Sequence, residues 1–164
     1  MALVLDGSLG VTFPVTAGSA SAVQASSGRV LQVVQGTTTT AVSRSTSGAV
    51  DTNLTATITP SSSANKVLII FHQNGVRKQS TNTYMEFNLL RGASSLAYFA
   101  YAQGYTGIDN IVQSGTVSAC YLDSPATTSA TTYKTQFNNV VGSGTCSVQV
   151  NSDVSTITLM EIAA

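Results

Sequence analysis

The stretch Val50-Asp-Thr-Asn-Leu-Thr-Ala-Thr-Ile58 largely alternates apolar and polar residues. Successive side chains of a β-strand point to opposite faces of the sheet. The stretch therefore predicts a strand whose apolar residues face a core and whose polar residues face solvent. The predicted inward set is Val50, Leu54, Ala56 and Ile58. Pro60 and the serines that follow predict that this strand ends in a loop.

Further strand patterns follow until the end of the chain. The residues from Val67 to Phe71 are all apolar, which predicts a strand in the middle of a sheet. Asn74-Gly75 is a frequent hairpin-turn dipeptide, so we expect the chain to double back at Val76. Roughly eight to ten such strands, each followed by turn residues, are typical of an all-β sandwich or barrel. We therefore predict an all-β fold, a jelly-roll-like antiparallel β-sandwich.

The composition changes at Gly28–Arg29. Residues 1–27 consist mainly of Gly, Ala, Ser and Thr with few apolar side chains, so they cannot form a core of their own. We predict an extended N-terminal anchoring arm and linker over residues 1–27 and a sandwich module over residues 28–164. Residues Leu9–Pro14 predict a short edge strand within the arm. The module opens with apolar residues on both faces of Arg29–Gln35, so we expect both faces of that strand to be covered.

Charge and hydropathy exclude several classes of partner. Only 9% of the residues are charged, and seven basic residues balance seven acidic ones. A protein that binds nucleic acid needs a phosphate-neutralising basic surface, which this composition does not supply. Zero net charge leaves association between copies unopposed by repulsion, which is compatible with a homo-oligomer. We expect no membrane span, since a span needs about 20 apolar residues. We expect no signal peptide either, since residues 1–6 lack a basic region.

The titratable residues do not indicate a catalytic site. The acidic side chains are scattered, no Gly-x-Ser-x-Gly motif is present, and His72 is the single histidine. We therefore predict that the chain is not an enzyme and that it holds no cofactor or metal. For His72 we favour a structural or surface role at a strand end, with a metal or pH-sensing role shared between copies as the alternative. A polysaccharide-degrading enzyme is a minor alternative for the whole chain.

A few residues are candidates for contact with a surface or ligand. We place Arg77-Lys78 in a solvated loop tip, with contact to an acidic or polysaccharide surface as the alternative. The aromatic residues around Tyr101 and Tyr105 predict a core and subunit interface, with a sugar-stacking platform as the alternative. They include the adjacent pair Tyr98-Phe99, whose rings must lie on opposite faces of a strand. Asp109-Asn110 fits turn chemistry, with a cation or sugar hydroxyl as the alternative ligand.

The two cysteines, Cys120 and Cys146, are predicted to be reduced and to pack as small apolar residues. A disulfide between them is the alternative if their strands are neighbours.

Several segments resemble virion structural proteins of tailed bacteriophages. Leu5-Asp-Gly-Ser-Leu-Gly-Val-Thr-Phe-Pro14 is similar to short segments that precede the terminal domains of phage fibres. Within the module, the resemblance rests on the first strand, a turn and strand with the pattern Ile-Thr-Pro-Ser-Ser…Lys-Val-Leu, and the later strands. These segments are Gly28–Val34, Ile58–Ile69, Tyr121–Lys134 and Ser155–Ile162.

The resemblance implies a phage virion structural protein, a homotrimer, and no catalytic residues. It implies a location in the virion after synthesis in the host cytoplasm. We favour a short tail-fibre or fibre-tip module whose arm anchors to the tail or baseplate and whose sandwich contacts a host surface glycan. The alternative is a capsid decoration or cement protein whose arm clamps the major capsid protein. In either case the anchoring residues would be Leu3, Leu5, Val11, Phe13 and Pro14.

Overall fold

The computed structural model describes residues 28–79, 82–107 and 112–164, together with the backbone of residues 4–6 and 10–12. The strands are β1 (Val4–Asp6), β2 (Gly10–Thr12), β3 (Val30–Thr38), β4 (Val42–Arg44), β5 (Gly48–Ile58), β6 (Lys66–Lys78), β7 (Met85–Arg91), β8 (Ser94–Gln103), β9 (Gln113–Asp123), β10 (Thr131–Asn139), β11 (Cys146–Val148) and β12 (Ser155–Ile162). A 3-10 turn, Val150–Ser152, separates the last two. No helix in these ranges is long and apolar enough to cross a membrane.

The module is a sandwich of two antiparallel sheets. The four-stranded sheet has the order β5-β10-β7-β8. In the six-stranded sheet, β6 pairs with β9 on one side and with β12 and β11 in succession on the other, and β3 and β4 lie outside these. All pairings in both sheets are antiparallel. The predicted all-β sandwich is therefore confirmed.

Strand alternation places one face of each sheet in a shared core. Of the four predicted inward residues of β5, Leu54, Ala56 and Ile58 are buried, and Val50 is partly buried against the core. The same alternation buries Tyr133 and Phe137 on β10. On β8 the aromatic ring of Phe99 faces inward and meets Phe71 edge-to-face, with ring centroids 5.4 Å apart.

Polar side chains also lie in the core, and they link the two sheets. A buried chain of hydrogen bonds runs from Thr52 to Thr135 (2.5 Å), from Thr135 to Gln73 (3.0 Å) and from Gln73 to Ser155 (3.1 Å). The chain of bonds joins β5 and β10 of one sheet to β6 and β12 of the other. Because buried polar groups are costly without partners, these bonds favour one relative placement of the sheets.

The hairpin turn predicted at Asn74-Gly75 is wrong. β6 continues through these two residues to Lys78, and its register with β9 shifts between residues 73 and 76. Gly75 has a φ of 58°, and the extra residue forms a β-bulge. The segment after β11 packs directly on this bulge, since a Cβ on Gly75 would lie 2.5 Å from the backbone nitrogen of Val150. The Asn-Gly pair therefore bends a continuous strand instead of ending it.

Two further expectations need correction. Leu31 and Val33 of β3 are exposed in the single chain, so the expected coverage of both faces of that strand is not present. From Cys146 to Val150 apolar residues alternate with Ser147 and Gln149, a pattern that predicts burial of the apolar residues alone. Ser147 and Gln149 are also buried, because β11 lies between β4 and β6 and the following turn folds over it.

The strand expected around Leu9–Pro14 is present as β2, and it pairs with β1 so that Leu5 lies opposite Val11. The sequence did not indicate this hairpin. Leu3, Phe13 and Pro14 lie outside the described residues, and the division at residue 28 stays a prediction.

Candidate functional site

The outer face of the six-stranded sheet is apolar at one end. Cross-strand register places Val33, Met160, Leu68 and Leu122 in one row across four strands. Side chains that oppose each other in an antiparallel pair lie on the same face, so this row is continuous. Val33 is 57% exposed and Leu122 is 50% exposed.

Two more rows continue this surface along the strands. The second row is Gln35, Thr158, Ile70 and Cys120, and the third is Thr37, Thr156, His72 and Ser118. None of the residues in the three rows is Lys, Arg, Asp or Glu. We call these three rows the uncharged face.

The predicted candidate His72 lies on the uncharged face. It occupies the middle of β6 and not a strand end, because the chain does not turn after it. Its Nδ1 lies 2.9 Å from the Ser118 hydroxyl of the neighbouring strand. Among the described residues no group of three or more His, Cys, Asp or Glu is arranged to hold a metal ion.

Both cysteines are free in the structure. Cys120 is exposed on the uncharged face, and Cys146 is buried in the core. Burial raises the pKa of the Cys146 thiol. The two thiols therefore differ in access to solvent.

The outer face of the four-stranded sheet carries tyrosines. On β7, Glu86 and Asn88 alternate with buried residues and so point outward. Tyr98 lies opposite Asn88 and shares its face. A register shift between β7 and β8 turns Tyr101 outward as well, although it lies three residues after Tyr98. Tyr98 and Tyr101 are 68% and 73% exposed.

Tyr84 contacts two further tyrosines at the end of this face. The Tyr84 ring meets the rings of Tyr101 and Tyr105 edge-to-face, with centroid separations of 5.4 and 5.6 Å. The hydroxyls of Tyr84 and Tyr101 lie 3.0 Å apart. That hydrogen bond, with smaller contributions from burial and from the charge of Glu86, raises the pKa of Tyr84 to about 12. We call Tyr84, Glu86, Asn88, Tyr98 and Tyr101 the tyrosine face.

A shallow cavity of about 170 Å³ lies beside the ring of Tyr98. Its lining residues come from all four strands of the sheet, and they are Gly48, Ala49, Glu86, Asn88, Tyr98, Gln136, Phe137 and Asn138. The Asn138 amide donates to Glu86 Oε2 at 3.1 Å, and the Ser95 hydroxyl donates to Asn88 Oδ1 at 2.9 Å. These bonds hold the carboxylate and the amide in place at the rim of the cavity.

Near this cavity, two of the charged side chains, Asp51 and Lys134, are paired with each other. Asp51 receives hydrogen bonds from Lys134 at 2.7 Å and from Gln136 at 2.6 Å. Burial raises the pKa of Asp51, but these two bonds outweigh it and hold the pKa below its usual value. Lys134 is therefore engaged with Asp51, and Glu86 is the carboxylate that lines the cavity.

Arg77 and Lys78 do not lie in a loop tip, so that predicted placement is wrong. Both belong to β6, and Lys78 is fully buried with its ammonium group donating to the hydroxyl of Thr106. They differ from the prediction because the strand does not turn at Gly75. Contact of either residue with a ligand stays a prediction, as it does for Tyr101 and Tyr105.

Sequence reasoning missed several residues of these surfaces. The alternation of Met85, Phe87 and Leu89 indicated that Glu86 and Asn88 point outward, but their position beside Tyr98 depends on the pairing of β7 with β8. The candidate Asp109-Asn110 lies outside the described residues.

No protein-family model and no curated protein sequence matches this chain. Among solved structures, the fold is similar to a crystal structure of the infectious bursal disease virus VP2 subviral particle. The sequence identity is 16% and the TM-score is 0.45. The likeness covers 85% of this chain and 38% of that chain, so this chain spans well under half of its length. A likeness at this level says nothing of what the present chain does.

Proposed function

We propose that this chain is a structural protein of a virus particle and that its copies associate through the uncharged face. More specifically, we propose a short tail-fibre or fibre-tip module of a tailed phage, assembled as a homotrimer. Its N-terminal segment, residues 1–27, would anchor it to the particle. In this proposal the chain has no catalytic activity.

The observation that carries the proposal is the row Val33, Met160, Leu68 and Leu122. Contiguous exposed apolar surface on a soluble protein marks an interaction site. Burying such surface stabilises an assembly by about 25 cal/mol for each Å² removed from water. The row crosses four of the sheet's six strands, so a partner can cover it with one continuous surface.

A further copy of the chain is the occupant that fits this face. The uncharged face offers no Lys, Arg, Asp or Glu for a charged partner to recognise. The chain as a whole has zero net charge, so copies approach without long-range repulsion.

The place in a phage particle rests on the sequence. The segments Gly28–Val34 and Ile58–Ile69 resemble a module of phage virion proteins, and residues 5–14 resemble a segment that precedes fibre domains. The segment Ile58–Ile69 forms the end of β5, the loop at Pro60 and the start of β6. These residues build the framework of the sandwich. The resemblance therefore concerns an assembly module and not a cleft.

Purified virions of the phage that encodes the chain provide the test of location. Quantitative mass spectrometry should find a few dozen copies per particle if the chain is a tail fibre. Hundreds of copies would contradict the fibre and indicate a capsid decoration protein, and no copies would overturn the structural role. A chain without residues 1–27 should fold but fail to join the particle.

Thiol reactivity tests the covered face. Cys120 lies on the uncharged face beside Ile70, whereas Cys146 is buried in the core and provides an internal reference. We expect a thiol reagent to modify Cys120 slowly in concentrated protein and at least about tenfold faster on dilution, as assemblies dissociate. An equal rate at all concentrations would contradict coverage of this face by further copies.

A further inference from the structure

We propose that the cavity beside Tyr98 binds one sugar ring of a neutral saccharide. Neither the particle role nor the association of copies is needed for this inference, because the cavity lies on the opposite sheet from the uncharged face. The juxtaposition that carries it is an exposed aromatic ring next to fixed amide and carboxylate groups.

The ring of Tyr98 provides the apolar part of the site. It is exposed on the outer surface of β8, and its neighbour Phe99 occupies the core side of the same strand. A tyrosine ring offers a rigid apolar surface at low cost in conformational entropy. The C–H groups on one side of a pyranose ring form a matching flat apolar surface. A peptide or an ion does not require a flat aromatic ring in its binding site.

The polar part of the site comes from the strands next to Tyr98. Across the sheet, Gln136, Asn88 and Tyr98 form one row, and Asn138 and Glu86 form the next. Within the described residues, Asn88 Nδ2 and Glu86 Oε1 have no hydrogen-bond partner, while the other atoms of these two groups are held by Ser95 and Asn138. Sugar hydroxyl groups both donate and accept, so they can bond a carboxylate oxygen and an amide donor together.

The size and charge of the cavity select the class of saccharide. A volume of about 170 Å³ is smaller than the pockets that enclose drug-sized ligands, which fits a single ring resting on the sheet. Glu86 lines the cavity, and the nearby Lys134 ammonium is engaged by Asp51. The Glu86 carboxylate would repel the negative charge of an acidic sugar, so a neutral sugar is favoured.

Saturation-transfer NMR on the full chain tests the inference. The probes are lactose, maltose and N,N′-diacetylchitobiose as neutral saccharides, with 3′-sialyllactose as the acidic comparison and choline as a cation. We expect transfer to the ring protons of at least one neutral saccharide and weaker transfer to sialyllactose. No transfer to any neutral saccharide, or transfer to choline alone, would overturn the proposal.

Variants then locate the site. Tyr98→Ala should weaken the binding of that saccharide at least about tenfold, which corresponds to about 1.4 kcal/mol. Asn88→Ala should weaken it as well, because it removes the amide donor. Val154→Ala is the matched control, since Val154 is an exposed apolar residue outside the cavity. Unfolding curves verify that each variant is folded, and equal affinity in Tyr98→Ala and the wild type would contradict the site.

Discussion

The carboxylate of Glu161 holds three segments of the chain together. Although the side chain sits on the last strand, its oxygens accept hydrogen bonds from Gln32 at 2.6 Å, from Asn65 at 2.6 Å and from the backbone and hydroxyl of Ser61, both at 2.7 Å. Burial by itself raises the pKa of Glu161, but these bonds outweigh it and lower the pKa to about 2. β3, the loop after β5 and β12 therefore depend on one ionised group.

This arrangement predicts a loss of stability in acid. A carboxylate with a lowered pKa in the folded state stabilises the protein fully above its unfolded value of about 4.5. That contribution falls as the pH decreases from about 4.5 to about 2. Glu161→Gln should lower the free energy of unfolding by about 2 kcal/mol at pH 7, because several donors lose a charged acceptor. The difference from the wild type should shrink at pH 3.

Urea unfolding at the two pH values measures this effect. Asp153→Asn is the control, since Asp153 is exposed next to the 3-10 turn. The role given to Glu161 would be wrong if Glu161→Gln were as stable as the wild type at pH 7, or if its deficit were the same at pH 3.

Alanine substitutions at Gly75 and Gly92 provide a matched comparison that tests the packing of the β6 bulge. Their φ angles are 58° and 59°, but a Cβ on Gly75 would meet the backbone near Val150, whereas a Cβ on Gly92 would meet nothing within 4 Å. Gly92→Ala should cost about 1 kcal/mol, the usual cost of placing a side chain in the left-handed region. Gly75→Ala should cost about 2 kcal/mol more, because packed backbone must also move.

Thermal or urea unfolding of the two variants gives the comparison. Equal destabilisation would show that the bulge does not need a glycine for packing. A larger cost for Gly75→Ala would confirm that β6 and the segment after β11 fit together only without a side chain.

At the scale of the strands, the sequence predicts where a strand lies in the chain better than it predicts which other strands lie beside it. Alternation within β5 correctly indicated that Leu54, Ala56 and Ile58 face the core, since that pattern is local. The Asn74-Gly75 pair misled because a positive φ suits a bulge as well as a turn. Whether the chain turns there depends on β9, β11 and β12 lying alongside β6, and those strands are distant in sequence.

The candidate surfaces depend on pairing even more strongly. The sequence marked Tyr101 and Tyr105 as aromatic candidates, but Tyr84 and Glu86 join them only through the pairing of β7 with β8. The error at Arg77 and Lys78 has the same origin, because one misplaced turn moved both residues from a strand to a loop. Composition alone indicated low charge, which the uncharged face displays in three adjacent rows.

For the whole molecule, the two sheets present surfaces of different chemistry. The six-stranded sheet presents the uncharged face, and the four-stranded sheet presents tyrosines beside amide and carboxylate groups. A module that associates through one sheet can leave the other sheet exposed to a different partner. The central claim is that copies of the chain associate through the uncharged face.

Sedimentation equilibrium of the full chain at micromolar concentration tests this claim most directly. The wild type should sediment at three times the chain mass of 16.9 kDa. Leu122→Glu, which places a charge in the apolar row, should sediment as a monomer with an unchanged fold. Thr57→Glu, an exposed position on the outer side of the other sheet, should leave the trimer intact. A monomeric wild type, or a trimer that persists in Leu122→Glu, would contradict the claim.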